Sequence, residues 1–343
     1  MMRCAWTLLL PLMSSAANYT AERLTVDGLE VLRLADAAAQ AEVSIVPSLG
    51  NNSYEMKVKG QPVFWSPYQT LAEFRAKPAH LGNPFLAPWA NRIDGLAYWA
   101  NGKRYLLNPE LANFRLDNHK QPIHGLLVYA KEWKVNALKA TADSAAVTSR
   151  IEFWRRPDWM AQFPFAHTIE MTYRLRSGVL EVHTKVENLS SETMPLSLGY
   201  HPYFRLASVP RDDWKIHIPA RSHVVLGPTL VPTGEIKPAS LADPFPLSGA
   251  KLDDVFTDLV RNSRGEAEFW VEGGGRKISV VYGPKYDVAV VYAPAGRDFV
   301  CFEPMVGVTN VFNLAQAGKY NRLQSIPPGG TWTESFWIKT SGY

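Results

Sequence analysis

The stretch Leu180-Glu181-Val182-His183-Thr184-Lys185-Val186-Glu187 decides the fold class. Apolar and polar residues alternate along it, with Thr184 the one soft position on the apolar side. A period of two sends successive side chains to opposite faces of a strand, one face buried and one wet. Working outward, residues 278–282, 288–292 and 299–302 are short runs of β-branched and aromatic side chains. They are punctuated by Gly283-Pro284 and Pro294-Ala295-Gly296. Residues 216–218, 224–226 and 337–339 read alike. The 25 prolines disfavour long helices. The best helix candidate is short, at residues 69–77, and stops before Pro78. Many short strands at close spacing predict an all-β fold, a sandwich or a barrel.

The chain has 343 residues, 46% of them apolar, which is ample for a large core. There is no Pro/Ser-rich linker, low-complexity tract or internal repeat, so residues 18–343 are expected to form one domain. The net charge of +4 is mild and scattered, and no basic run interleaves with aromatics, which excludes nucleic acid as a partner. Eleven Trp, fourteen Tyr and fifteen Phe suit β-sheets, and such rings also stack on the apolar faces of sugars. At the N-terminus Arg3 precedes an apolar stretch at 4–13, followed by Ser15-Ala16-Ala17. That pattern predicts a signal peptide over 1–17 and an exported protein. The stretch is too short to span a bilayer, which needs about 20 residues, and no other segment qualifies. With Cys4 in the signal, Cys301 stands alone, so no intramolecular disulfide is expected and Cys301 reads as a small strand residue. Asn18, Asn51 and Asn188 begin N-x-[ST] triplets.

Five short segments can carry chemistry. In Leu198-Gly199-Tyr200-His201-Pro202-Tyr203-Phe204, His201 follows a strand-like run and is flanked by aromatic rings. It is either an acid–base group or a core histidine. Arg92, in Trp89-Ala90-Asn91-Arg92-Ile93-Asp94-Gly95, either donates to ligand hydroxyls or pairs with Asp94 or Asp117 to hold loops. His124 precedes Gly125, which permits close backbone approach, and is otherwise a turn residue. Asp253 and Asp254 are adjacent, so on a strand only one can face a given site. Glu303 ends the apolar run Val300-Cys301-Phe302 and precedes Pro304, a setting that can alter a carboxyl pKa. HExxH, CxxC, P-loop, post-strand GxGxxG and GxSxG motifs are missing. The histidines do not fall at metal-ligand spacings, so no metal is expected.

Taken in order, these pieces resemble the aldose 1-epimerase (galactose mutarotase) family. Ala90-Asn91-Arg92-Ile93 resembles its NRI motif and Tyr105-Leu106-Leu107-Asn108 the Y-x-L-x-x-N that follows. Ile123-His124-Gly125 resembles LHGG, with Trp133 at the expected place after it, and His201-Pro202-Tyr203-Phe204 resembles THPYF. Pro232-Thr233-Gly234-Glu235 is similar to a PTGE turn, Asp253 to Phe256 to D-x-x-F, and Phe302-Glu303-Pro304 to LEP, with Asn310 and Asn313 downstream. Pro327-Pro328-Gly329-Gly330 resembles the late L-x-P-G-E turn. The departures are Leu126 for the second Gly of HGG, Arg205-Leu206 after Tyr-Phe, and Asp254 where a His is usual.

The resemblance implies a large antiparallel β-sandwich, a galactose mutarotase-like supersandwich with a sugar cleft on one face. It implies Glu303 as general base, His201 as general acid, and Arg92, His124 and Asp253 as residues that hold sugar hydroxyls. The implied reaction interconverts the α and β anomers of a free aldose by ring opening and reclosure, without metal or nucleotide. The alternatives are a hexose-6-phosphate 1-epimerase, a glycoside hydrolase using Glu303 with Asp253, and a non-catalytic sugar-binding protein on the same sandwich. The sugar and the oligomeric state stay open.

Overall fold

Strand Val179–Asn188 buries Leu180, Val182, Thr184, Val186 and Asn188 and leaves the residues between them partly exposed, as the alternation predicts. Thr184 is tolerated inside because its hydroxyl lies 2.5 Å from that of Tyr200. The structure, a computed structural model, describes residues 18–343, and the expected signal segment lies outside the described residues.

Val179–Asn188 belongs to a nine-stranded antiparallel sheet. Its order is Lys134–Ala140, Ala145–Glu152, His167–Arg176, Val179–Asn188, Thr331–Ser341, Arg276–Tyr282, Ala267–Gly273, Lys215–His217 and Phe245–Pro246. Opposite it lies an eight-stranded sheet. This one runs Pro232–Pro238, Ala220–Leu226, Leu252–Leu259, Val288–Ala293, Val300–Met305, Gly199–Tyr200 and Phe85–Leu86, with Tyr203–Phe204 also paired to Val300–Met305. A five-stranded N-terminal sheet from Tyr19–Val26 to Gln61–Pro62 flanks the pair. Buried rings join the two large sheets: Tyr200 meets Phe336 with centroids 4.8 Å apart, and Phe302 meets Phe269 at 6.0 Å. Each such side chain contributes roughly 1.5–3 kcal/mol by leaving water. The fold is therefore an all-β antiparallel sandwich.

Helices are short. Leu71–Ala76 starts with a capping box, in which Thr70 accepts from the Glu73 amide and Glu73 accepts from the Thr70 amide. Its C-cap, Lys77, immediately precedes Pro78, as expected. Among the described residues no helix is long and apolar enough to cross a membrane. Asn51 and Asn188 are fully buried, which closes both as glycosylation acceptors in the folded chain. Cys301 is a buried free thiol in Val300–Met305, and burial pushes its pKa well up, so it is inert.

One consequence of the pleat positions the site. Along Val300–Met305, Phe302 points into the sandwich, so Cys301 and Glu303 point out of the opposite face. That outer face of the eight-stranded sheet is the floor of a cleft.

Candidate active site

Register brings the two expected acid–base residues together. Gly199 pairs with Met305, and Tyr203 pairs with Cys301. His201 and Glu303 are the positions midway between those pairs on their two strands. Facing residues of an antiparallel pair hold their Cβ atoms about 4.5–5.5 Å apart on one face. Between the pairs the ladder lapses, because Pro202 has no amide to donate and the His201 amide donates to Pro84 O at 3.0 Å. The result is a contact of 3.2 Å between His201 Nε2 and Glu303 Oε1, with both side chains almost wholly buried.

The same face continues across the sheet. Val290 faces Glu303, and Asp253 pairs with Tyr292, which pairs with Cys301. Asp253, Val290, Tyr292, Glu303, His201 and Tyr203 thus form the floor of a cleft of about 420 Å³. That volume is within the range of about 300–1,000 Å³ usual for small-molecule sites. Tyr203 stacks on His201, with centroids 4.7 Å apart and planes 7° from parallel, which fixes the imidazole plane. Asp254 points to the other side, and His223 Nε2 lies 2.8 Å from its Oδ1. The structure therefore separates the adjacent aspartates: Asp253 faces the cleft and Asp254 does not.

Loops build the walls. Arg92 Nε donates to Asp117 Oδ2 at 2.7 Å and Nη1 donates to Asn91 Oδ1 at 3.0 Å. The pairing with Asp117 that the sequence left open is made, and it aims the guanidinium along the cleft wall, with Nη2 uncommitted among the described residues. His124 is buried and holds a left-handed backbone with φ 65°. Its amide donates to Asn91 O at 2.9 Å, which ties it to the Arg92 loop. Gly125 must be glycine here, since a Cβ would stand 2.1 Å from Ala87 O. All five expected residues, Arg92, His124, His201, Asp253 and Glu303, line one cleft.

Among the further residues that line it without having been singled out from sequence are His80, Arg115 and Tyr292. His80 stands in a loop with no motif around it, and its ring is 5.0 Å from that of His124 and 5.6 Å from that of His201. The histidines are scattered in sequence, yet the fold gathers three of them.

Burial dominates the electrostatics. It pushes the Glu303 carboxyl well above its usual range, with Asp253 adding to the rise and Arg92 opposing it. Burial also drives His201 well below the usual imidazole range, helped by His80. His124 is driven down the same way, and Asp253 is raised by its own burial. In the protein by itself the proton shared by His201 and Glu303 therefore favours the carboxyl, and both charged forms need compensation by a polar ligand. A carboxyl and an imidazole in direct contact can trade that proton without water.

Comparison with known proteins bears on the chain's family and fold. The family model described as aldose 1-epimerase matches residues 31–339. The chain is 25% identical over 260 residues to the uncharacterized protein YihR of Escherichia coli K12, covering 71% of this chain and 78% of that one. It is 29% identical to the galactose mutarotase of Sus scrofa over 176 residues, 50% of this chain and 46% of that enzyme. A galactose mutarotase-like protein from Clostridium acetobutylicum superposes with a TM-score of 0.83 at 22% identity, covering 95% of this chain and 99% of that one, which shows the shared fold. With the family model spanning both large sheets and every residue of the cleft described above, the chain belongs to the aldose 1-epimerase family.

Proposed function

We propose that this protein is a mutarotase that interconverts the α and β anomers of a free aldose. The observation that carries the reading is the 3.2 Å contact between His201 Nε2 and Glu303 Oε1 on the floor of a polar cleft. In the proposed reaction Glu303, as carboxylate, takes the proton of the anomeric hydroxyl while protonated His201 gives its proton to the ring oxygen. The C1–O5 bond breaks and the open-chain aldehyde forms. Rotation about C1–C2 presents the other face. Reclosure returns the proton from Glu303 to O1, and His201 regains the one on O5, so the pair ends as it began.

Binding supplies what the reaction needs and burial opposes. The reactive form is the ion pair, whereas burial favours the neutral pair. Sugar hydroxyls and the Arg92 guanidinium offset that bias, and the proton crosses directly between the two side chains. Arg92, His124 and Asp253 hold the sugar, which converts a bimolecular proton transfer into a positioned one. The expected export is consistent with a free rather than a cytosolic phosphorylated sugar. Polarimetry of freshly dissolved α-D-glucose, α-D-galactose and other free aldoses tests the proposal. Acceleration over buffer is expected for at least one, and buffer rates for all would overturn it.

A second reading draws on Arg115. Its guanidinium reaches the cleft, and among the described residues its polar contact there is His80, a neutral partner, with no carboxylate paired to it. A cation without a carboxylate partner favours an aldose carrying an anionic substituent. Faster turnover of aldose 6-phosphates than of the parent aldoses would select this reading.

A further inference from the structure

His80 has no task in the proposed reaction, yet it is the third member of a close histidine cluster. One ring nitrogen from each of His80, His124 and His201 lies within 4.8 Å of the others. The buried Nδ1 atoms of His124 and of His201 have no hydrogen-bond partner among the described residues. Asp253 and Glu303 line the same cleft, and a bound cation would favour their ionised forms. Neutral imidazole is the form that ligates metal, and three such rings with open positions match zinc, copper and nickel better than calcium or magnesium.

We propose that His80, His124 and His201 form a three-nitrogen site for a divalent transition ion of the zinc class, and that bound ion and bound sugar exclude one another. Tetrahedral zinc at about 2.0–2.1 Å from each nitrogen sets the nitrogens about 3.3 Å apart, so separations of up to 4.8 Å must close by up to about 1.5 Å. Side-chain rotation provides that much. The ion sits on His201, the residue proposed to protonate the ring oxygen, so metal binding removes the acid. The clause on sugar exclusion rests on the mutarotase reading; the clause on metal binding does not.

Arg115 works against the ion. Its Nη1 lies 3.2 Å from His80 Nε2, and a guanidinium can only donate, so that nitrogen accepts and its lone pair is occupied. Coordination through either nitrogen of His80 requires the exposed Arg115 side chain to swing away. The geometry therefore makes His80 a ligand and Arg115 a brake, and the two substitutions should act in opposite directions.

The test is a titration of the purified chain with Co²⁺ alone, read by its visible absorption, followed by displacement with Zn²⁺. The expected result is one ion per chain with a nitrogen-ligated cobalt spectrum. His80→Ala should weaken affinity by at least about 10-fold, and Arg115→Ala should tighten it by about 3-fold or more. Absence of a cobalt band in the unmodified chain, or equal affinity in all three proteins, overturns the site. If His80→Ala does not fold, the Arg115→Ala arm decides alone, since loss of an exposed arginine leaves the core intact. Mutarotation assays with added Zn²⁺ then read sugar exclusion: inhibition relieved by rising sugar supports it, and full activity at saturating Zn²⁺ overturns it.

Discussion

His201 and Glu303 face each other across a gap in the sheet, and their contact of 3.2 Å is a product of strand register. The two pairs that bracket them hold the backbone in place: Glu303 sits on the strand Val300–Met305, and His201 sits in a two-residue break pinned at both ends by Gly199–Tyr200 and Tyr203–Phe204. A site built this way holds geometry that mobile segments cannot. It also buries both groups, which is why burial raises the Glu303 carboxyl, lowers the His201 imidazole and makes the pair costly to charge.

Replacing either partner should separate chemistry from folding. Glu303→Gln and His201→Asn are each expected to lower kcat by roughly 10²-fold or more, on the scale of a positioned acid or base. Neither should unfold the protein. Glu303→Gln removes a carboxyl whose ionisation burial opposes, so its thermal midpoint should match or exceed that of the unmodified chain. Polarimetric kcat beside a melting curve checks both, and near-normal turnover in either variant refutes the assigned roles.

The pH profile of kcat should be a broad plateau. With His201 lowered and Glu303 raised, the pair loses its first proton at a pH below the ordinary histidine value and its second above the ordinary glutamate value. The acid limb, where the pair gains the second proton that stalls the proposed reaction, therefore lies below the ordinary histidine value. Rates corrected for buffer catalysis should stay level through about pH 6.5, the ordinary histidine value. An acid limb centred there would contradict the shared-proton account.

Much of this was legible in the sequence, and what was not has a physical reason. Alternation at Leu180 to Val186 gave the strand because one face of Val179–Asn188 is buried and the other is not. His201, Glu303, Arg92 and His124 were found because each lies in a short motif with its own backbone neighbours. Only the resemblance pointed to Asp253 over Asp254, through its offset to Phe256; the residues by themselves could not choose, since the choice depends on which strand face meets the cleft and on His223 from a neighbouring strand. His80 and Arg115 were not visible at all. His80 reaches the cleft from a loop and Arg115 from the two-residue strand Arg115–Leu116 paired with Pro122–Ile123, and both are placed by tertiary packing that no local pattern records.

The two aspartates give a paired test. Asp253→Asn should lower kcat/KM by about 10-fold or more, the effect of losing a charged hydrogen bond worth roughly 1.5–3 kcal/mol. Asp254→Asn should stay within about 2-fold, since Asp254 meets His223 away from the cleft. Steady-state kinetics of both variants on the same sugar decides the matter, and equal losses would show that the cleft is not where Asp253 places it.

Acid stability should depend on His167, which is far from the proposed chemistry in role. It is buried against Phe153, with Nδ1 2.7 Å from Phe165 O, and burial lowers its pKa to about 4. A lowered folded-state pKa favours the neutral form, so this contribution is present in full above pH 6.5, the unfolded value, and is lost as pH falls through about 4. The shift amounts to on the order of 3 kcal/mol. Urea unfolding at pH 7 and at pH 4.5 should show a smaller loss in His167→Asn than in the unmodified chain. An unchanged difference between the two pH values would remove His167 from the account.

Gly125 carries the last prediction, because it links backbone strain to the cleft. Its φ is +68°, and an added Cβ would lie 2.1 Å from Ala87 O and 2.4 Å from Ala87 C. Both contacts are to backbone, so no side-chain rotation relieves them. Gly249 is the control: its φ is +64°, but a Cβ there meets nothing within 4 Å. Gly249→Ala should cost only the left-handed conformation, about 1–2 kcal/mol, with activity intact. Gly125→Ala should cost more than that and should also push out His124, the adjacent residue, so that kcat/KM falls. Denaturant midpoints and kinetics of the two variants read the difference. If both lose the same stability and neither loses activity, the close approach of Gly125 to Ala87 is not what seats His124.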